Sequence, residues 1–167
     1  MKSLVIYFSR NGENYMENGL ENIEVGNTEI LAKRIADLTN SDIFKVEVVK
    51  EYPFDYHECC DVAKYELENN IFPEVKNKLE TIDEYDTIYI GGPVWWGHLP
   101  KALINVIKDL DFTGKIIKPF CTHEGSGLGS IVEDIKNYCP NAQIIDGLEV
   151  RGSKVNESNI KIEKWCE

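Results

Sequence analysis

The sequence alternates short apolar runs with longer stretches in which apolar residues recur at helical spacing. Five runs are predicted to be strands, because they are short, rich in β-branched residues and bounded by polar or turn-forming residues. They are Leu4–Phe8, Ile43–Val49, Thr87–Gly91, Lys115–Thr122 and Gln143–Val150. Strand–helix alternation predicts right-handed crossovers, and therefore a parallel sheet covered by helices on both faces. We expect an α/β, three-layer doubly wound fold, with residues 1–167 forming a single domain.

The segments between the predicted strands show helical patterns. Apolar stripes fall at Leu31/Ile35/Leu38, at Leu99/Leu103/Ile107/Leu110 and at Leu128/Ile131/Val132/Ile135, and a more polar helix is predicted from Asp55 to about Asn70. The last helix is predicted to begin at Asn156 as its N-cap, with Val155 and Ile160 packed as a hydrophobic staple. Five strands and five helices suit a doubly wound fold, in which ligands bind outside the carboxyl ends of the strands.

The charge balance narrows the classes of partner. Lysine and arginine number 18 against 29 aspartate and glutamate residues, a net charge of −11. This charge disfavours nucleic acid and anionic membrane surfaces, whose phosphates would be repelled. It is compatible with docking to a basic partner surface, or it serves solubility alone. No apolar run approaches the roughly 20 residues that span a bilayer, and Leu4–Phe8 is too short for a signal peptide.

The five cysteines are odd in number and form no CxxC motif. This pattern favours reduced thiols and a cytoplasmic protein over a disulfide framework. Cys59 and Cys60 lie near His57, which makes a metal site conceivable. Adjacent cysteines point in different directions, however, and no second ligand pair exists, so we interpret them as ordinary thiols with no metal bound.

Three loops that follow predicted strands carry unusual residues. After the first strand come Ser9-Arg10-Asn11-Gly12 and, later, Gly26-Asn27-Thr28 at the start of a helix. Hydroxyl groups, an amide and a helix N-terminus are groups that hold a phosphate. The alternative is that Asn27 or Thr28 only caps the helix. No GxxxxGK[ST] motif occurs, which argues against a nucleoside triphosphate site.

The loop after the third strand contains two adjacent tryptophans, Trp95 and Trp96, between Pro93-Val94 and Gly97. Each indole offers a large flat apolar face, for which a planar heteroaromatic ring is a natural partner. The alternative is that both are core residues. A short loop cannot easily bury both, so we expect at least one to face a ligand.

The loop after the fourth strand, Thr122–Gly129, is rich in glycine, which permits close approach of its backbone to a ligand. A flexible helix entry without a ligand is the alternative. His98 lies in the loop after the third strand and His123 in the loop after the fourth. Either could donate a hydrogen bond to a flavin, shuttle a proton or have no role. Together the three loops supply a phosphate pocket, an aromatic surface and a glycine-rich cradle at one sheet edge, which is the pattern of an FMN site.

These residues resemble the flavodoxin family across essentially the whole chain. The matching motifs are Tyr7-Phe8-Ser9-Arg10, Gly26-Asn27-Thr28, Gly92-Pro93-Val94-Trp95-Trp96-Gly97 and Thr122–Gly129. The resemblance implies a five-stranded parallel sheet in the order 2-1-3-4-5, noncovalent FMN and electron transfer between redox partner proteins. The residues expected to bind the cofactor are Ser9, Arg10, Asn14, Asn27, Thr28, Pro93, Val94, Trp95, Trp96, Gly97, His123, Glu124, Gly125, Ser126 and Gly127. We expect a monomer or homodimer and assign no catalytic residue.

Two features depart from the family pattern. An insertion at residues 10–25 separates Ser9 from Thr28, and it forms either a lid, a partner surface or a passive loop. The loop after the fourth strand lacks the tyrosine that covers the flavin in many flavodoxins, so His123 or a tryptophan serves there, or that face stays open. The Trp-Trp-Gly stretch is similar to the ring loop of flavodoxin-fold NAD(P)H:quinone reductases, which makes a flavin-dependent reductase the alternative. A binding module without redox cofactor is disfavoured by the intact loops.

Overall fold

A computed structural model describes residues 2–167. Its main sheet is parallel and runs in the order β4-β1-β5-β6-β7, with β8 also paired to β6. The strands are β1 (Ser3–Tyr7), β4 (Asp42–Lys45), β5 (Thr87–Pro93), β6 (Ile116–His123), β7 (Gln143–Ile144) and β8 (Leu148–Arg151), while β2 (Gly12–Met16) and β3 (Gly19–Ile23) pair separately. If β2 and β3 are left out and β7 and β8 are counted as one strand, the five strands of the main sheet follow the predicted order 2-1-3-4-5.

Five α-helices and one 3-10 helix connect and cover the strands. They are α1 (Asn27–Thr39), α2 (Tyr56–Glu68), α3 (Lys101–Ile107), α4 (Ile131–Tyr138), the 3-10 segment Gly152–Glu157 and α5 (Asn159–Cys166). Side chains of α1 and α5 pack with Val5 and Tyr7 of β1, whereas α3 and α4 pack with Leu4 and Ile6. Alternate residues of β1 therefore feed two cores, one on each face of the sheet, as the three-layer prediction requires.

Two predicted strands are shorter or divided. The second ends at Lys45 and not at Val49, because β1 offers no partner beyond Tyr7, whose carbonyl accepts the last hydrogen bond from the Val46 amide at 2.8 Å. Val48 is still buried but bridges Val75 in the antiparallel sense. The predicted fifth strand divides into β7 and β8, with residues 145–147 between them, and both pieces pair with β6.

The predicted start of the last helix is wrong. Residues Gly152–Glu157 form a 3-10 helix, and α5 begins after Ser158, which is its N-cap. Val155 is buried inside the 3-10 helix, whereas Ile160 is 83% exposed, so the two cannot form a staple. Val155 of the 3-10 helix and Ile162 of α5 both pack in the core.

The insertion folds into an antiparallel hairpin, β2–β3, that opens next to the end of β1. Met16 pairs with Gly19, which leaves Glu17 and Asn18 as a two-residue connection. Gly19 adopts φ 112°, a conformation that favours glycine, and Asn-Gly is a hairpin signal that was present in the sequence. The insertion is therefore a hairpin and not an irregular loop.

Within residues 2–167, no helix is long and apolar enough to cross a membrane. The five cysteines are free thiols. No group of three or more histidine, cysteine or acidic side chains comes together as a metal site in this part of the chain.

Candidate functional site

The three unusual loops meet at one edge of the sheet. From β1 the chain crosses to β4 on one side and, later, to β5 on the other, so the point of reversal lies between β1 and β5. A crevice at such a point is where doubly wound folds bind ligands. The ends of β5 and β6 are tied there by the Val94 amide, which donates to the Thr122 carbonyl at 3.2 Å, and Pro93 lies opposite Thr122 in the strand register.

The loop after β1 packs tightly on the start of α1. Gly26 is the N-cap of α1, so neither Asn27 nor Thr28 caps the helix. A Cβ on Gly26 would lie 2.1 Å from Ser9 Oγ and 2.7 Å from the Arg10 carbonyl oxygen, which only glycine avoids. Ser9 Oγ accepts a hydrogen bond from the Glu29 amide at 3.0 Å. Ser9 thus satisfies one orphan N–H of the helix from a separate loop.

Asn27 and Thr28 point to different surroundings. The Asn27 amide donates to the sulfur of Met16 at 3.3 Å, which is a weak acceptor, so this amide has capacity for a stronger partner. Thr28 is buried, and its hydroxyl bonds that of Thr122 at 2.7 Å. Thr28 therefore ties α1 to β6, and its hydroxyl is already used inside the protein.

Arg10 and Asn14 hold the hairpin in place. The Arg10 guanidinium donates to the carbonyls of Glu13, Pro53 and Phe54, the last two at 2.8 and 2.7 Å. The Asn14 amide donates to the Arg10 carbonyl at 3.1 Å. In this arrangement Arg10 joins the hairpin to the segment that precedes α2, with its donors directed to backbone oxygens.

Residues 95–98 form a tight turn at the end of β5. The Trp95 amide donates to the His98 carbonyl at 2.9 Å, and the His98 amide donates back to the Trp95 carbonyl at 3.0 Å. The central residues Trp96 and Gly97 have φ 53° and 85°, the positive values of a type I′ turn. Gly97 suits this conformation, whereas Trp96 adopts it against its own preference. Strained residues of this kind cluster at binding and active sites, which makes Trp96 a candidate site residue.

The two tryptophans are divided between core and surface. Trp95 is half-buried and meets Phe8 and Tyr52 edge-on, with ring centroids 5.3 and 4.9 Å away. Trp96 is 52% exposed, its indole N–H donates to the Cys60 carbonyl at 2.9 Å, and the Lys64 ammonium lies 5.2 Å from its ring centroid. The prediction that a short loop cannot bury both rings agrees with this placement.

A cavity of about 200 Å³ lies between the hairpin, α2 and the tryptophan turn. Its lining brings together five of the predicted site residues, Arg10, Asn14, Val94, Trp95 and Trp96, with Tyr56, Cys59, Cys60 and Ala63 of α2. Burial raises the pKa of Cys59 to about 11 and, with the neighbouring Cys60, raises the pKa of Tyr56 to about 12. The walls formed by Cys59 and Tyr56 are therefore uncharged at neutral pH.

The glycine-rich loop after β6 is shaped by its own side chains. His123 accepts from the Gly125 amide at 2.9 Å through Nδ1 and contacts Glu149 through Nε2, and its side chain is only 7% exposed. Glu124 accepts from the amide and hydroxyl of Ser153. The side chains of His123 and Glu124 are therefore turned toward β8 and the 3-10 helix.

The backbone of this loop needs its glycines. Gly125, Gly127 and Gly129 have φ 131°, 66° and 53°. Ser126 is exposed, and its hydroxyl donates to the Gly127 carbonyl at 3.1 Å. A Cβ on Gly129 would lie 2.7 Å from the Gly97 carbonyl oxygen, which already accepts from the Ser130 amide at 2.6 Å. The loops after β5 and β6 therefore touch, as a shared cradle requires.

Several residues near the site belong to no motif that the sequence revealed. A buried carboxyl, Glu66 of α2, accepts from the hydroxyl of Tyr52 at 2.7 Å, directly behind Trp95. A larger cavity of about 610 Å³ lies on the β1–β4 side of this edge, next to the hairpin, and Ser9, Arg10 and Tyr52 line it. The contacts of α2 with this edge could not be inferred from local pattern, because they join segments far apart in the chain.

This chain resembles known proteins along nearly its whole length. A family model described as "Flavodoxin" matches residues 2–167. A candidate flavoprotein from Bacteroides uniformis is 27% identical, with a TM-score of 0.78 over 98% of this chain and 96% of its own. A flavoprotein from Lactobacillus acidophilus in complex with FMN is 21% identical, with a TM-score of 0.64 over 93% of this chain and 97% of its own.

An oxidised flavodoxin 2 from Bacillus cereus is more distant in sequence, at 16% identity, and has a TM-score of 0.57 over 99% of this chain and 95% of its own. No protein of the curated collections matches the sequence. The solved structures that are less than 25% identical show only the fold. The family assignment is based on the family model, which matches residues 2–167. On that match, with the doubly wound sheet and its three converging loops, this chain belongs to the flavodoxin family.

Proposed function

We propose that this protein binds one FMN noncovalently and carries electrons between redox partner proteins. The observation that carries the proposal is the meeting of three loops at the reversal point of the sheet. They offer a helix N-terminus, a tryptophan turn and a glycine-rich backbone. The Ser130 amide joins the last two at 2.6 Å from the Gly97 carbonyl, and Thr28 ties the helix to Thr122 at 2.7 Å. FMN supplies one- and two-electron chemistry when bound, and the protein supplies binding, orientation and electrostatics.

The start of α1 fits a phosphate. The first turn of a helix presents backbone N–H groups and the positive end of the helix dipole. The Gly26 cradle leaves no room for a side chain, and the Asn27 amide is held only by the sulfur of Met16. Ser9 stands beside them with its hydroxyl on the Glu29 amide. A phosphate bound there could accept a hydrogen bond from the Asn27 amide, whose present acceptor is a weak one.

The tryptophan turn fits the planar ring. Trp96 presents an exposed indole beside the small cavity, and Val94 and Trp95 add apolar surface. The backbone of Gly125–Gly127 can approach ring nitrogens and carbonyls closely, because these glycines carry no Cβ. The FMN complex of the Lactobacillus acidophilus relative supports the same cofactor class for this chain.

The carrier role is supported by charge and exposure. The chain carries a net charge of −11, and α2, which contacts Trp96, exposes Glu58, Asp61 and Glu68. An acidic surface beside an accessible aromatic ring suits brief docking to a basic partner protein, since opposite charges steer the encounter. A carrier needs no nicotinamide pocket, and the sequence motifs offer no site for an adenine 2′-phosphate.

Stopped-flow mixing of the FMN-loaded protein with NADPH or NADH tests the carrier role. We expect slow bleaching of the flavin absorbance by either nucleotide alone, and fast bleaching when a separate flavin reductase and its nucleotide are added. The control is the same mixing with a quinone present. Rapid bleaching by a nucleotide alone, with turnover of the quinone, would overturn the carrier role in favour of an FMN-dependent reductase.

A further inference from the structure

The turn after β5 carries a histidine–aspartate pair. His98 Nδ1 lies 2.9 Å from Asp134 Oδ1 and 3.2 Å from Oδ2. Asp134 stands in the first turn of α4, and its carboxylate also accepts from the Leu99 amide at 2.9 Å. The carboxylate side chain is only 13% exposed and is fixed by both donors. It therefore fixes the orientation of the His98 ring.

The other two histidines lack this arrangement. Both ring nitrogens of His123 are occupied, by the Gly125 amide and by Glu149. His57 is exposed on α2 and packs on the ring of Tyr56. The His98 side chain is 36% exposed, and its Nε2 has no hydrogen-bond partner within residues 2–167. Only His98 combines an anchored nitrogen with an accessible one.

An imidazole held at Nδ1 by a carboxylate is suited to proton exchange at Nε2. The carboxylate selects the ring tautomer, orients the ring and stabilises its protonated form. His98 also closes the turn that contains Trp96 and Gly97, at the end where the three loops meet. A proton carried on Nε2 therefore lies in the loop predicted to hold the flavin ring.

We propose that His98 is the proton-exchange residue of the flavin site, with Asp134 as its positioning residue. His98 Nε2 takes up one proton from water when the site gains two electrons from an external reductant, and returns it when the electrons leave. The only bond that forms or breaks on the protein is the Nε2–H bond. This inference rests on the FMN-binding function proposed above.

The charged groups near His98 include one carboxylate that contacts the ring. Asp134 of α4 is the carboxylate in contact with the ring, and its neighbour Glu133 is directed to Lys136 at 3.4 Å. From α2, Lys64 reaches the ring of Trp96, and in the loop after β6 Glu124 is turned to Ser153. Added negative charge in the crevice would act on His98 at short range and strengthen its hold on a proton.

NMR titration of the ¹⁵N-labelled imidazoles tests the proposal. The three histidines are followed against pH in the protein without FMN, with oxidised FMN and with dithionite-reduced FMN. We expect the titration midpoint of His98 to rise on reduction while that of His57 stays in place. By linkage, the two-electron reduction potential then falls with pH over the same interval, by about 30 mV for each pH unit by which the midpoint moves.

Variants separate the roles of the two residues. His98→Gln should remove that pH-dependent segment of the potential, Asp134→Asn should lower the His98 midpoint in all three forms, and His57→Gln should behave as the wild type. FMN binding with a His98 midpoint that does not change on reduction would overturn this proposal alone. Failure of FMN to bind would overturn both proposals. If Asp134→Asn does not fold, the wild-type comparison still decides the outcome.

Discussion

Trp95 and Trp96 are neighbours in sequence with different surroundings, and this difference predicts different mutational effects. Trp95→Ala should lower the free energy of unfolding by about 2–4 kcal/mol, because the ring packs on Phe8 and Tyr52. Trp96→Ala should change stability little but weaken FMN binding by about 1–3 kcal/mol, the scale of a lost aromatic contact. Urea unfolding and quenching of FMN fluorescence measure the two quantities.

Trp165→Phe is the matched control for the tryptophan prediction, since Trp165 packs on Tyr89 near the C-terminus of the chain. It should leave FMN affinity unchanged. If Trp95→Ala and Trp96→Ala both bind FMN as tightly as the wild type, the stacking role of this turn is wrong.

The buried Glu66 predicts a pH-dependent stability. Burial raises the pKa of Glu66, and the hydrogen bond from Tyr52 only partly opposes this. The folded protein therefore holds this proton to higher pH than the unfolded chain. Its contribution to stability is full below the ordinary carboxyl pKa and declines as pH rises toward the raised value. Tyr52→Phe should cost about 1–3 kcal/mol at pH 8 and less at pH 5, because the neutral acid tolerates burial better.

Urea unfolding at both pH values measures this effect. Glu66→Gln should remove that part of the pH dependence while it keeps an acceptor for Tyr52. Glu68→Gln, an exposed change on the same helix, is the control. An unaltered pH dependence in Glu66→Gln would contradict the assignment of the effect to this carboxyl.

At the scale of elements, the hairpin β2–β3 depends on Arg10. Its guanidinium binds three backbone carbonyls, whereas the Lys154–Glu17 ion pair at 2.8 Å is exposed. Arg10→Lys should raise hydrogen exchange in residues 12–23 about tenfold or more, because lysine cannot reproduce the planar fork of donors. Lys154→Ala should have little effect, since solvent screens an exposed ion pair. Equal protection in both variants would show that Arg10 does not anchor the hairpin.

Element order followed from the sequence because apolar periodicity is a local property. Strands β1, β5 and β6 and the helix that begins after Asp55 lie close to their predicted places. The predicted end of the second strand was wrong because it depends on where its neighbour β1 ends, which no local pattern records. The hairpin was missed although Asn18-Gly19 signals a turn, because its strands carry few apolar residues.

The site loops could be located from the sequence, but most of their side-chain partners could not. The glycines and tryptophans of these loops can be recognised in the sequence from their residue type alone. The His98–Asp134 and Tyr52–Glu66 pairs join residues 36 and 14 positions apart, and only the fold brings them together. The inward turn of His123 likewise depends on Glu149, 26 residues further along the chain.

At the scale of the whole molecule, the net charge of −11 predicts salt-sensitive electron transfer. The reduced, FMN-loaded protein should reduce cytochrome c, a basic protein, about tenfold more slowly in 0.5 M than in 0.01 M salt, because screening removes the steering attraction. Stopped-flow absorbance of the cytochrome measures the rate. Ferricyanide, a small anion, is the control and should react faster as salt rises. Electron-transfer rates that do not change with salt for either acceptor would contradict the proposal that charge steers the docking of this protein.

The most direct test of the central claim, that this protein is built around one FMN, is the visible absorption spectrum of the purified protein, before and after FMN is added. We expect flavin bands that correspond to one FMN per chain after saturation, and acid should release FMN and not FAD. A colourless protein that neither gains flavin bands nor quenches FMN fluorescence on titration would contradict it.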